Sequence, residues 1–405
     1  MQDRIAQLAA QYLDDTIQVR RELHRHPELA YEEVRTGRLV TDRLTDWGID
    51  FRTGVARTGI VGFIDGGLPG PTRMLRADMD ALPILEENDF EFRSTVEGKM
   101  HACGHDAHTS TLLTAARILH ECRSELKGNV RLIFQPSEER VPGGAKPMIE
   151  EGCLEALEGR PAVGQVFGQH VRPDLPCGAI GVRAGEFMAA SDELTIRIHG
   201  QGGHAAEPHL LRADPVLVAS HVIVALQSVI SRNRQPDVPS VLSICKVVAG
   251  DAPNVVPDVV TLQGTFRSMD EAWRDKGHNL IERVATHTAE AFGATAEVEI
   301  LRGYPPLVND PAATALVREA AVAYVGEDRV VDLDRWYVAE DFAYYLLERP
   351  GCFYTIGVGN PELGITHGLH TPRMTVDERS LETGPGFMAY LAWHAGQARH
   401  DRHTN

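Results

Sequence analysis

The sequence predicts an α/β protein: a larger domain built on a mostly parallel sheet, with a smaller ferredoxin-like α+β domain inserted into it. Three observations carry this. At 405 residues the chain outgrows a single comfortable core. Its first part alternates helical and strand-like stretches, the pattern of a parallel sheet covered on both faces. Its middle part changes to the order β-α-β-β-α-β, the split βαβ unit. The expected boundaries are 1–186 with 302–405 for the larger domain and 187–301 for the insert.

Each element has a local reason. Residues 3–24 place Ile5, Leu8, Leu13, Ile17 and Leu23 at helical spacing. The segments 59–65 (GIVGFID) and 72–78 (TRMLRAD) are short and strand-like. In 106–121, Leu112, Leu113, Ala116 and Leu119 form one helical face. NVRLIFQP (129–136) is a strand stopped by proline, and VGQVFGQH (163–170) is a further strand. In the insert, ELTIRIHG (193–200) alternates, with Leu194, Ile196 and Ile198 on one face. A long apolar helix spans 214–232, with Pro215 suited to its first turn. Strands follow at 240–250 and 259–268, then a helix at about 270–292 and a strand at 294–301. CFYTIGVG (352–359) returns to the larger domain as a core strand.

Composition removes several classes of function. The chain is 43% hydrophobic and 24% charged, as globular proteins are. Lys+Arg number 40 against 57 Asp+Glu, a net charge of −17, which argues against a nucleic-acid partner. No uninterrupted apolar run suggests a membrane span, and the charged N-terminus has no apolar signal core. The six cysteines are sparse, with no CxxC, so a cytoplasmic location is expected.

The stretch HACGHDAHTS (101–110) crowds three histidines, an aspartate and a cysteine together. With 18 histidines in the chain, chance clustering is the competing explanation. Ligands of open α/β sheets sit beyond the carboxyl ends of the strands, and that rule discriminates. Strand 72–78 runs into Asp78-Met79-Asp80, and strand 129–136 runs into Ser137-Glu138-Glu139. Strand 163–170 is expected to end at His170, and strand 352–359 leads to a loop with His367 and His370. Cys103 and His105 precede a helix. One such residue would mean little, but five on one rim point to a metal centre. Thiolate and imidazole mixed with carboxylate suit a borderline divalent ion. Five ligands exceed one catalytic zinc and match a bridged pair of ions. In the Glu138-Glu139 pair, successive side chains point apart, so one can bind metal while the other acts as a base.

These motifs resemble those of the metal-dependent N-acyl-amino-acid amidohydrolases, the group of hippurate hydrolase, N-acyl-L-amino-acid amidohydrolase and indoleacetyl-amino-acid hydrolase. Glutamate carboxypeptidase and acetylornithine deacetylase are more distant members. The resemblance runs in order through RRELHRHPELAYEE (20–33), RADMDALPI (76–84), HACGHDAH (101–108), FQPSEE (134–139), QHVRP (169–173), GQGGHAAEPH (200–209), APNVVPD (252–258), GTFR (264–267), AEDF (339–342) and LHTP (369–372). It implies a zinc-peptidase-like catalytic domain with a lid or dimerisation insert, and two divalent ions per chain, Zn, Mn or Co. It implies Cys103, His105, Glu139, His170 and His370 as metal ligands, with Cys103 bridging. Glu138 is implied as the base that takes a proton from the attacking water and returns it to the leaving amine. His204 is implied to stabilise the oxyanion, often from a partner subunit, and Asn254 and Arg267 to bind substrate. The expected activity is hydrolysis of N-acyl-L-amino acids by a homodimer or higher homo-oligomer. Peptidase activity on the same scaffold, as a dipeptidase, aminopeptidase or carboxypeptidase, is the near alternative. A non-catalytic metal-binding protein is the remote one. Ala339 in AEDF, and Arg373 with Met374 after LHTP, depart from the pattern and bear on substrate preference. His24 and His26 are read as packing and hydrogen-bonding residues.

Overall fold

A computed structural model describes residues 1–397 and divides them into two compact units. The first comprises Met1–Gly185, Val308–Asp334 and the chain from Asp341 onward. The second comprises Glu186–Leu307 with Arg335–Glu340. The short return of Arg335–Glu340 is a departure from the expected boundaries. The backbone explains it: the Trp336 amide donates to the Phe187 carbonyl at 2.8 Å and the Ala189 amide to the Val338 carbonyl at 3.0 Å.

The first unit opens with helices α1 (Gln2–Arg25) and α2 (Val34–Asp46). Strands β1 (Asp50–Val55), β2 (Gly59–Ile64) and β3 (Thr72–Asp78) follow. Then come α3 (His105–Glu121), β4 (Val130–Gln135), α4 (Ala145–Glu150), β5 (Val163–Pro176) and β6 (Ile180–Val182), and β7 (Gly185–Met188) carries the chain into the second unit. The second unit contributes β8 (Ala190–His199), β9 (Gly203–His204), α5 (Pro215–Asn233), β10 (Ser240–Ala249), β11 (Val255–Val256), β12 (Val259–Ser268), α6 (Glu271–Ala291) and β13 (Thr295–Arg302). The chain then runs through β14 (Leu307–Asn309), α7 (Pro311–Val325), β15 (Val330–Asp332), α8 (Ala343–Glu348), β16 (Gly351–Gly359) and α9 (Ser380–Gln397).

Eight strands of the first unit form one sheet in the order β1-β2-β4-β3-β5-β16-β6-β15. Its centre, β4-β3-β5-β16, is parallel, and the pairings of β1 with β2, β2 with β4 and β16 with β6 are antiparallel. Every residue of β3, β4 and β16 is buried, as expected of central strands covered on both faces. Helices α1, α3 and α9 pack against one another over the core. The Leu112–Leu113 pair of α3 and its partners Ile118 and Leu119 are at most 1% exposed; each such burial contributes roughly 1.5–3 kcal/mol.

One strand departs from expectation. His170 was expected at a strand end, but β5 continues to Pro176 because its pairing with β16 continues, Thr355 opposite His170 and Gly359 opposite Pro176. His170 thus lies in mid-strand beside the parallel partner.

In the second unit the sheet order is β10-β12-β8-β13, all antiparallel, with α5 and α6 sharing its core. Asp214 caps α5 by accepting the Val216 amide at 2.9 Å, and Pro215 opens the helix. By length and composition α5 could cross a bilayer, against the expectation of no such run. Its spaced residues Val218, Val222, Leu226 and Val229 are instead buried in the core of this unit.

Candidate metal centre and active site

The centre is assembled at the carboxyl end of the parallel strands of the first unit. Gly104 links the two residues of the CGH motif and must be glycine. Its φ is +85°, and a Cβ there would lie 2.4 Å from Val171 Cγ2. The turn places His105 as the first residue of α3, one residue earlier than the expected helix start, and buries it completely.

The five expected ligands converge. Cys103 Sγ lies 3.4 Å from His170 Nε2. Glu139 Oε1 lies 3.1 Å from His370 Nε2 and 3.9 Å from His105 Nε2. The donor atoms of Cys103, His105 and His170 lie within 4.8 Å of one another, and so do those of Cys103, Glu139 and His370. A third such group joins His105, Glu139 and Glu138. Two overlapping triads that share Cys103 give a thiol common to both.

The electrostatics fit bound cations. Burial, followed by Glu139 and Glu138, pushes the Cys103 thiol far up, so a thiolate is stable there only beside a positive charge. Burial disfavours charge on His105, yet Asp78, Asp80 and Glu139 outweigh it and push the ring up to about 10. Its surroundings favour a positive charge, and a divalent ion supplies one as well as a proton does. Burial and the neighbouring His108 hold His170 well below the usual histidine range, which keeps it a neutral ligand.

A buried shell orients these groups. His170 Nδ1 donates to the Val171 carbonyl at 2.8 Å, which leaves Nε2 to face Cys103. The Val171 amide donates to His108 Nε2 at 2.9 Å, so the His108 proton sits on Nδ1 and goes to Asp78 Oδ1 at 2.6 Å. Arg76 donates to Asp78 at 2.5 Å, to Gln135 at 2.9 Å and to Asp341 at 2.9 Å. Burial alone would raise Asp78, but Arg76, His105 and His108 outweigh it and hold it well below the carboxylate range. Asp80 accepts the Glu138 amide at 2.9 Å on one oxygen and the Glu139 amide at 3.0 Å on the other.

Asp78, Asp80, His108 and Arg76 are absent from the expected site residues. All four stand inside RADMD or HACGHDAH, and their signal was polar side chains at the end of an apolar strand and on the first turn of α3. His24 and His26 behave as expected. His24 is buried between Asp106 at 2.8 Å and Glu86 at 3.1 Å, and His26 Nδ1 donates to the Glu22 carbonyl at 3.0 Å.

The other expected residues lie in the second unit. His204 on β9 pairs with Val255 on β11, and the Asn254 carbonyl accepts the Ala205 amide at 3.0 Å, so His204 and Asn254 are neighbours. The exposed His204 ring accepts the Ala206 amide on Nδ1 at 3.1 Å, which puts its proton on Nε2 as an outward donor. Arg267 lies near the far end of β12, which starts beside this ribbon at Val259. Eight residue steps along the strand separate Val259 from Arg267, about 26 Å at the usual rise, so this unit does not bring Arg267 to His204.

Residues 74–394 match the model of Peptidase family M20/M25/M40. The chain is 38% identical to thermostable carboxypeptidase 1 of Saccharolobus solfataricus over 94% of this chain and 95% of that one. It is 40% identical to the N-acetyl-L-cysteine deacetylase of Bacillus subtilis over 90% of this chain and 84% of that one. The crystal structure of the Bacillus subtilis YXEP protein, a dinuclear metal-binding peptidase of the M20 family, is similar at a TM-score of 0.82 and 35% identity, covering 96% of this chain and 100% of that one. Family match, sheet topology and convergent ligand set agree: the chain belongs to Peptidase family M20/M25/M40 and is a metal-dependent hydrolase of amide bonds.

Proposed function

We propose that this protein hydrolyses the amide bond of N-acyl-L-amino acids, hippurate-like or other conjugates, releasing a carboxylic acid and a free amino acid. The observation that carries the reading is the convergence of Cys103, His105, Glu139, His170 and His370 with Glu138 beside them. Those five residues would hold two divalent ions, Zn, Mn or Co, with Cys103 shared. When bound, such a pair supplies Lewis acidity for the scissile carbonyl and acidifies a water for attack.

The chain's own groups do the rest. Glu138, buried beside the ligands, accepts the proton of the attacking water and returns it to the departing amine. His204 presents its Nε2 proton to the carbonyl oxygen as negative charge develops there. Arg267 is half-buried, its guanidinium makes no hydrogen bond or ion pair among the described residues, and burial lowers its pKa. Such a guanidinium is matched by a carboxylate, and we assign it the α-carboxylate of the amino-acid half. Asn254 adds a polar contact from the ribbon of His204. The separation of Arg267 from His204 along β12 supports a homodimer or higher homo-oligomer in which His204 and Asn254 serve a partner's site, with the second unit as lid and dimerisation domain. The expected location is cytoplasmic, with no membrane and no nucleic acid as partner.

The carboxypeptidase relative favours one second reading, removal of a C-terminal residue from a peptide, which needs the same carboxylate grip. A panel separates them: hippurate, N-acetyl, long-chain acyl and indoleacetyl amino acids beside unblocked dipeptides and longer peptides. Release confined to the acyl amino acids supports the amidohydrolase. Faster release from unblocked peptides overturns it.

A further inference from the structure

The motif HRHPELAYEE contains a buried carboxylate that the proposed reaction does not use. Glu33 is 0% exposed. One of its oxygens accepts the Ser137 amide at 2.8 Å and the other accepts the Thr58 hydroxyl at 2.6 Å. The next two amides, of Glu138 and Glu139, go to the two oxygens of Asp80. Three successive N–H groups thus end on two buried carboxylates.

An extended chain cannot do this, because its successive N–H groups point to opposite sides. The turn is made at Ser137, which sits at φ +52° in the left-handed region unfavourable for a residue with a Cβ. Among the described residues, three of the other five non-glycine residues with positive φ, Tyr31, Ala56 and Arg57, flank Glu33 and Thr58 in sequence. Pro136 has already ended the β4 ladder, so nothing regular holds the turn. Strain of this kind persists only where the surroundings over-determine it.

We propose that Glu33 is a positioning residue, holding Ser137 in the left-handed backbone that sets Glu138 and Glu139 in place. The inference rests on the reading of Glu138 as the proton carrier. Burial pushes Glu33 up to about 7, helped by the charge of Asp80. The nearby Tyr31 donates its hydroxyl to the Gly143 carbonyl at 2.9 Å, with Arg57 over its ring at 4.6 Å. A carboxyl partly protonated at neutral pH is well mimicked by an amide, whose oxygen can take the Ser137 amide and whose NH₂ can donate to Thr58.

The test compares Glu33→Ala, Glu33→Gln and the double variant Glu33→Ala with Ser137→Gly. Assayed at saturating metal, Glu33→Ala is expected to lower kcat on the order of 10²-fold with KM nearly unchanged, the scale of a displaced catalytic group, and to weaken metal binding because Glu139 moves with the turn. Glu33→Gln is expected to stay within about 3-fold of the parent. Glycine takes a positive φ without strain, so Ser137→Gly is expected to recover roughly 10-fold in the Glu33→Ala background. Hydrogen exchange at the Ser137 amide is expected to quicken in Glu33→Ala, a readout independent of turnover. Should Glu33→Ala not fold, Glu33→Asp carries the same comparison, because its shorter arm cannot reach Ser137 and Thr58 together. Unchanged kcat and exchange in Glu33→Ala would overturn the proposal, as would a loss that Ser137→Gly leaves untouched. If the parent chain releases no amino acid from any acyl substrate, the functional reading falls, and the exchange rate alone decides on Glu33.

Discussion

Replacing Asp80 by Asn tests how the paired glutamates are held. Asp80 is 1% exposed, and its two oxygens take the amides of Glu138 and Glu139 at 2.9 and 3.0 Å. Asparagine keeps one acceptor and turns the other into an NH₂ facing an N–H. One hydrogen bond to a charged acceptor is lost, about 1.5–3 kcal/mol, and one buried donor is left unsatisfied, about 1–3 kcal/mol. Partial relaxation of the loop brings the expected total to about 3–4 kcal/mol. If that cost falls on the placement of Glu138 in the transition state, it corresponds to roughly 10²–10³-fold in kcat at 1.36 kcal/mol per decade. If it falls on folding, the denaturation free energy drops by the same amount. The assay is kcat on the best acyl amino acid from the panel, alongside guanidinium denaturation of the same preparation. A variant with parental kcat and stability within about 0.5 kcal/mol would refute the argument that Asp80 holds this loop.

Glu138→Gln is expected to bind metal as the parent does and to lose about 10²–10⁴-fold in turnover, measured by metal analysis and amino-acid release. Gly104→Ala must fit a Cβ 2.4 Å from Val171 Cγ2 at φ +85°; left-handed strain of about 1–2 kcal/mol plus overpacking of about 1–3 kcal/mol is expected in denaturation, with weaker metal binding by equilibrium dialysis. Arg267→Ala is expected to raise KM for acyl amino acids while barely changing it for their α-carboxamides, read from paired kinetics. Asp192 is held at about 2 against burial by His278 and Arg274, so it contributes stability above its unfolded pKa that is lost as pH falls towards 2. The shift amounts to about 2 kcal/mol, expected as the amount by which the stability gap between the parent and Asp192→Asn narrows from pH 5 to pH 2 in urea denaturation.

The sequence made the architecture legible where local pattern and tertiary role agree. Short apolar cores in β3, β4 and β16, at Met74-Leu75, Leu132-Ile133-Phe134 and Cys352-Phe353-Tyr354, read as central strands, and the alternation of β8 with the apolar spacing of α5 announced a separate layered unit. The expected ligand residues were legible because so many metal-binding side-chain types beside apolar segments are unusual. The continuation of β5 past His170 was not, since it depends on pairing with β16, more than 180 residues away. Nor was the supporting shell. Nothing local says that Asp80 turns back to the amides of Glu138 and Glu139, 58 and 59 residues on, or that Glu33 reaches Ser137 across 104 residues. The apolar run of α5 looks alike whether it faces lipid or a sheet, and only its packing in the second unit's core separates the two.

Amide hydrolysis is assigned here to ions held by the Cys103, His105, Glu139, His170 and His370 cluster. The most direct measurement titrates the chelated chain with Zn, Mn or Co, following amino-acid release and bound metal together. No release is expected from the chelated chain, and activity is expected to rise with occupancy and saturate at two ions per chain, with Glu138→Gln binding the same metal and turning over about 10²–10⁴-fold more slowly. Full activity in the chelated chain, or metal bound with no release from any acyl amino acid or peptide, would contradict it.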